Sequence, residues 1–182
     1  MVGFVGLHSR AQALENVLYA AQILSGNKNI RFVFFGDGPE KSRLLRLREE
    51  LGLHQVEFHD SQPKSRMPAI LQTFGASLVP LRSGQIFEGT LPAKMFEAMA
   101  AGIPVVLSAN GEARRMVANA RAGTCVEPEN PESLAHAISD LYTDPVLART
   151  LGLNGRRYAI DHFDWKMIAK DLERELVLLC DH

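Results

Sequence analysis

The chain has 182 residues, 46% of them hydrophobic and 23% charged, which suits one domain of ordinary size with a substantial buried core. Its 20 Lys and Arg against 21 Asp and Glu leave a net charge of −1, which excludes a global pull toward nucleic acid or an anionic membrane. The two cysteines, Cys125 and Cys180, are too few for a disulfide framework and read as reduced thiols, and no apolar run approaches the ~18 residues of a spanning helix.

Val2–Gly6 is a short apolar run that reads as a strand. A chain that begins inside a strand reads as a piece of a longer one, with a short natural gene as the alternative. Leu14, Val17, Leu18, Ala21 and Leu24 recur at helical spacing and predict a helix over Ala11–Leu24. Ile30–Phe35 is a strand, broken by Gly36-Asp37-Gly38-Pro39. Glu40–Leu51 is a helix stopped by Gly52. Val56–His59 is a strand, Ser65–Thr73 a helix and Ser77–Leu81 a strand. Pro92–Ala101 is a helix ended by Gly102, followed by strand Ile103–Leu107, helix Glu112–Ala120 and strand Thr124–Val126. Helices then run over Ser133–Tyr142, Pro145–His162 and Trp165–Leu179.

Continuous apolar strands alternating with helices predict an α/β fold: a doubly wound, Rossmann-like parallel sheet of about six strands with helices on both faces. Ligands of such folds bind past the carboxyl ends of the strands, near the point where strand order reverses. Candidate residues therefore follow each strand, in Leu7–Gln12, Gly36–Lys41, His59–Arg66, Arg82–Lys94 and Ser108–Arg115.

The most informative stretch runs from Phe87 to Val106. Glu88, Gly89, Thr90 and Leu91 open onto a helix with Pro92 near its first turn, and the free N–H groups of such a helix make an anion site. Lys94 adds a positive charge in that turn, and Glu97 follows on roughly the same face. A carboxylate there can accept two hydroxyl hydrogen bonds, as a ribose diol offers. The plain alternative is a surface i,i+3 pair. Gly36-Asp37-Gly38 lacks the third glycine of a dinucleotide fingerprint and reads as a turn that brings backbone close to a ligand. His54, His59 and Asp60 match no usual metal-ligand spacing, and there is no Asp-x-Asp for a nucleotide-bound Mg²⁺, so no metal or other cofactor is expected. Arg114 and Arg115 read as solvated helix residues, and Trp165 as a packing anchor.

The Phe87–Val106 string resembles the motif of family 4 glycosyltransferases, in which two acids separated by seven residues precede an Ala-Met-Ala-x-Gly-x-Pro-Val-Val run. It is most similar to the Pro-x-Lys-x-x-Glu variant of bacterial envelope-polysaccharide enzymes. Phe32–Pro39, Met67–Leu81, Gly111–Ala113, Gly123–Pro128, Leu134–Leu141 and Gly152–Tyr158 extend the resemblance over nearly the whole chain. It implies the donor-binding, C-terminal domain of a two-domain retaining enzyme of GT-B fold. Residues 1–182 then form one nucleotide-sugar-binding domain, without the N-terminal domain that holds the acceptor, and alone catalyse little.

The resemblance assigns Glu97 to the donor ribose and the loop Glu88–Leu91 to the sugar and phosphates, with Gly89 standing where the first acid would be and Glu88 beside it. It places Gly6, His8 and Arg10 after the first strand at the diphosphate, Gly36 and Gly38 at the next turn, and Pro63 and Lys64 at the base. The family's Arg and Lys after the first strand are replaced by Leu7 and, near the lysine position, Gln12, so Lys94 carries an unusual share of the phosphate charge. An expected aspartate is Gly75. The implied partners are a nucleotide-diphosphate-sugar donor, which is a substrate, and a glycan or lipid-linked acceptor. The implied location is the cytoplasm, with the full-length enzyme free to associate peripherally with the inner membrane. A non-catalytic nucleotide-sugar-binding domain and a UDP-sugar epimerase of the same fold are the rival readings.

Overall fold

The computed structural model describes residues 1–180, apart from the side chains of Asp171 and Cys180. The reading of Cys180 as a free thiol therefore lies outside the described residues. Six strands form one parallel sheet: β1 (Val2–Val5), β2 (Phe32–Phe35), β3 (Val56–His59), β4 (Ala76–Pro80), β5 (Val105–Ser108) and β6 (Gly123–Val126). Their spatial order is β3-β2-β1-β4-β5-β6, so the order reverses between β1 and β4. Pairing is in step from Val2 opposite Phe32 to Val5 opposite Phe35.

The helices are α1 (Leu14–Ile23), α2 (Lys41–Glu50), α3 (Met67–Leu71), α4 (Gln85–Glu88), α5 (Ala93–Ala101), α6 (Gly111–Ala120), α7 (Pro131–Thr143), α8 (Pro145–Phe163) and α9 (Trp165–Cys180). Alternation along the strands divides the core between two faces. Phe4, Phe34, Leu78 and Val106 pack with Leu14, Leu18, Leu44, Leu134 and Ile138 on the face of α1, α2 and α7. Val79, Val105 and Leu107 pack with Met95, Met99, Val117 and Ala159 on the face of α5, α6 and α8. Val5 and Phe35 meet Leu71, Phe74 and Ile103 beside α3. Each fully buried side chain of this size contributes about 1.5–3 kcal/mol.

Local signals set several helix starts. Asn130 and Asp144 each accept a hydrogen bond from the N–H three residues on, at 2.8 Å, and Pro131 and Pro145 occupy the first helical positions.

Three expectations need correction, and one short helix is not among those expected. The predicted Ala11–Leu24 helix is a 3-10 turn over Arg10–Gln12, a left-handed Ala13 at φ 44°, and then α1. The predicted Ser65–Thr73 helix is a 3-10 turn over Lys64–Arg66 and a short α3. Helix α4 has no counterpart among the expected elements, because four residues are too few to show a period. Trp165 is 82% exposed at the start of α9, so it anchors no packing among the described residues. No described helix is long and apolar enough to cross a membrane.

Candidate functional site

The carboxyl ends of β1, β2 and β3 open into a cleft of about 650 Å³ whose far wall is α5. Val5, Gly6 and Leu7 continue from β1, Phe35–Gly38 from β2, and Ser61 and Gln62 from β3; Ala93, Lys94 and Glu97 project from α5. This is the crevice at the reversal of strand order that a doubly wound sheet offers to ligands.

Glycines let the two central turns touch. Gly36 sits at φ +146°, and a Cβ there would stand 1.9 Å from the carbonyl oxygen of Gly6. No L side chain fits that conformation or that space. Gly6 in turn lies under Lys94, whose Nζ would be 3.2 Å from a Cβ at position 6.

Lys94 reaches from α5 back across the end of β1. Its Nζ lies 4.3 Å from the centre of the Phe4 ring and donates a hydrogen bond to Gln12 Oε1. Burial lowers its pKa to about 8, with Glu97 one turn away acting in the opposite sense. Pro92, extended at φ −67°, ψ 127°, precedes α5 as its N-cap rather than entering the first turn, and no side chain caps the helix. The Met95 N–H bonds to the Pro92 carbonyl at 3.0 Å, which leaves the first two N–H groups of α5, those of Ala93 and Lys94, to solvent or a ligand.

Beneath the turns lies His8, fully buried among Phe4, Phe34 and Phe58, with neither ring nitrogen hydrogen-bonded among the described residues. Burial, reinforced by Lys41 and Lys94 and opposed by Asp37, lowers its pKa to about 4. The ring is neutral at pH 7 and brings no cation to the cleft. Lys41 instead braces the cleft from behind, donating to the Gly36 carbonyl at 3.1 Å and pairing with Asp60 at 2.6 Å. A second cavity of about 490 Å³ adjoins the cleft across Met67 and Glu97, and Lys64 and Arg156 line it.

The family of glycosyl transferases group 1 matches residues 1–158. The chain belongs to that family. Among relatives, it is 32% identical over 135 residues to a GDP-mannose-dependent alpha-(1-6)-phosphatidylinositol monomannoside mannosyltransferase of Mycolicibacterium smegmatis, covering 72% of this chain and 35% of the relative. It is 32% identical over 130 residues to the protein named as colanic acid biosynthesis glycosyl transferase WcaI in Escherichia coli K12, covering 70% of this chain and 31% of the relative. The chain thus spans about a third of the length of these relatives. The structure of Anabaena Alr3699/HepE in complex with UDP and glucose superposes with a TM-score of 0.83 at 21% identity, over 97% of this chain and 47% of that one. That likeness shows the fold, which is the expected GT-B glycosyltransferase domain.

Within this group 1 chain, the cleft gathers Gly6, Gly36, Gly38, Lys94 and Glu97 from the residues that the sequence singles out. Several others lie outside its lining. Glu88 ends α4, with its backbone packed on Gly111 at the start of α6, and Gly89, Thr90 and Leu91 lead from there into α5. Arg10 is on the rim, its side chain 87% exposed and paired with Glu40 at 3.4 Å. Pro63 precedes the Lys64–Arg66 turn, and Lys64 faces the adjoining cavity. Ser61 and Gln62 join the lining without having stood out as individuals, although they fall in the segment after β3 where a ligand is expected. Arg114 and Arg115 pair with Glu127 and Glu112 on the surface. Among the described residues, no three His, Cys, Asp or Glu side chains gather as a metal site.

Proposed function

We propose that this chain is the donor-binding half of a retaining glycosyltransferase, which transfers a sugar from a nucleoside-diphosphate sugar to a glycan or lipid-linked acceptor of the cell envelope. The observation that carries the reading is the pairing of Lys94 and Glu97 on one wall of the cleft, beside the uncapped start of α5. The departing diphosphate develops negative charge, and a preorganised ammonium with helix N–H groups is the chemistry that stabilises it. Glu97 accepts hydrogen bonds from the ribose hydroxyls, and the turn after β3 receives the base. Glu88 and the Gly89–Leu91 loop bear on the donor sugar.

The relatives' names support this reading: one is GDP-mannose-dependent and another is named for colanic acid biosynthesis. The acceptor falls to a further domain, consistent with the share of the relatives that the chain spans. The domain works in the cytoplasm, and the whole enzyme meets the membrane only peripherally. Charge for the diphosphate comes from Lys94 and α5, so no metal cofactor is required.

Calorimetric titration with UDP and with GDP tests the reading. One of the two binds, EDTA leaves the affinity unchanged, and Glu97→Ala weakens it by about 1–3 kcal/mol. Failure of both nucleotides to bind overturns the proposal. A non-catalytic nucleotide-sugar-binding domain is favoured by one observation, the position of Glu88 outside the cleft lining. Such a domain binds the donor but supports no transfer when its acceptor half is supplied.

A further inference from the structure

The turn after β1 and helix α5 are joined by one pair of side chains, Gln12 and Lys94, 82 residues apart in the chain. Gln12 stands on a braced turn. Its N–H bonds to the Ser9 carbonyl at 3.1 Å, and the next N–H, of Ala13, bonds to the Arg10 carbonyl at 3.1 Å. From the far side of the reversal point, the Arg82 N–H bonds to the Ala11 carbonyl at 2.9 Å and its Nε to the Arg10 carbonyl at 3.0 Å. The backbone of the turn that carries Gln12 is therefore held by the loops after both central strands, and from it the half-buried side chain reaches Lys94.

The ammonium is held by Gln12 Oε1 and the Phe4 ring face, in the space that the missing side chain of Gly6 leaves open. An ammonium carries three N–H donors. Gln12 takes one, and the ring attracts the charge through its π face. Donors remain for an anion in the cleft. The neutrality of Gln12 matters here. A carboxylate at position 12 would pair with the ammonium and cancel its charge, and a second cation would drive it toward the neutral form. The charged group facing Lys94 from its own helix is Glu97, and His8, from the β1 turn, is held neutral by burial.

We propose that Gln12 is the positioning residue for Lys94: a neutral acceptor that aims the whole ammonium charge at the diphosphate. This rests on the reading of the cleft as a nucleoside-diphosphate site. Gln12 acts through Lys94.

The test uses the full chain and its Gln12→Ala, Gln12→Glu and Lys94→Ala variants. The affinity of whichever of UDP and GDP binds is compared with that of the matching nucleoside, and the Lys94 pKa is followed by NMR at its Cε. Gln12→Glu is expected to raise that pKa by about one unit and to weaken diphosphate binding about tenfold, leaving the nucleoside unchanged. Gln12→Ala is expected to weaken the diphosphate about three- to tenfold. If Gln12→Glu destabilises the fold, Gln12→Ala carries the same comparison. Unchanged diphosphate affinity in the Gln12 variants, or an unmoved Lys94 pKa in Gln12→Glu, overturns the positioning role when Lys94→Ala is impaired. Unchanged affinity in Lys94→Ala itself overturns the underlying reading of the cleft.

Discussion

The Lys94 ammonium lies 4.3 Å from the centre of the Phe4 ring, so a cation from one side of the reversal point is seated over a strand on the other. Burial there costs the charged form more than Glu97 returns, and the pKa falls to about 8. A diphosphate favours the charged form and raises the pKa again. Binding above pH 8 must therefore take up a proton, and affinity must decline as pH rises through and beyond 8. Calorimetry in buffers of differing ionisation enthalpy measures the uptake directly. Affinity that is flat from about pH 7 to 9.5 would show that Lys94 is not the phosphate cation.

Arg10 and Lys94 compete for the role of clamp, and their surroundings separate them. The Arg10 side chain is 87% exposed and engaged with Glu40, whereas Lys94 lines the cleft. Lys94→Ala is expected to cost about 1.5–3 kcal/mol of diphosphate affinity, with little effect on the nucleoside. Arg10→Ala is expected to cost less than about 1 kcal/mol. The reverse ranking would place the clamp on the β1 turn.

His8 makes the stability of the fold depend on pH, because burial disfavours its protonated form. Its folded pKa, about 4, lies below the ordinary 6.5, so the unfolded chain binds the extra proton first. Stability is then fully present above about pH 6.5 and is lost as pH falls toward 4, by about 3 kcal/mol in all. His8→Leu removes the two unpartnered ring nitrogens and this pH dependence together. Urea denaturation of both proteins at about pH 7 and about pH 4.5 is the check, and equal losses in the two would exclude His8 as the cause.

Much of this fold can be read along the chain because its strands are continuous apolar runs between amphipathic helices. Phe32–Phe35 and Val105–Ser108 signal burial on both sheet faces by composition alone. The site is legible wherever a local pattern carries it, at Gly36, Gly38, Lys94 and Glu97. It is not legible where a tertiary contact decides the chemistry. Nothing near His8 in sequence says that Phe34 and Phe58 will enclose it and hold it neutral. The Gln12–Lys94 bond joins residues 82 apart, and in the sequence Gln12 reads only as a missing lysine. Ser61 and Gln62 are ordinary loop residues until β3 is placed at the edge of the cleft.

Two glycines with positive φ separate backbone strain from steric blockade. Gly52, after α2, sits at φ +63° with nothing within 4 Å of the place a methyl group would take, so Gly52→Ala meets only the left-handed penalty of about 1–2 kcal/mol. Gly36, at φ +146°, has the Gly6 carbonyl oxygen 1.9 Å from the same position. Gly36→Ala must force the β1 and β2 turns apart, at an expected cost of at least about 3 kcal/mol. Because those turns form the cleft and Gly6 underlies Lys94, nucleotide affinity should fall with it, whereas Gly52→Ala should bind as the parent does. Chemical denaturation and nucleotide titration of the two variants side by side decide the matter. Equal stability losses, or normal binding by Gly36→Ala, would mean that the two turns do not need their close approach.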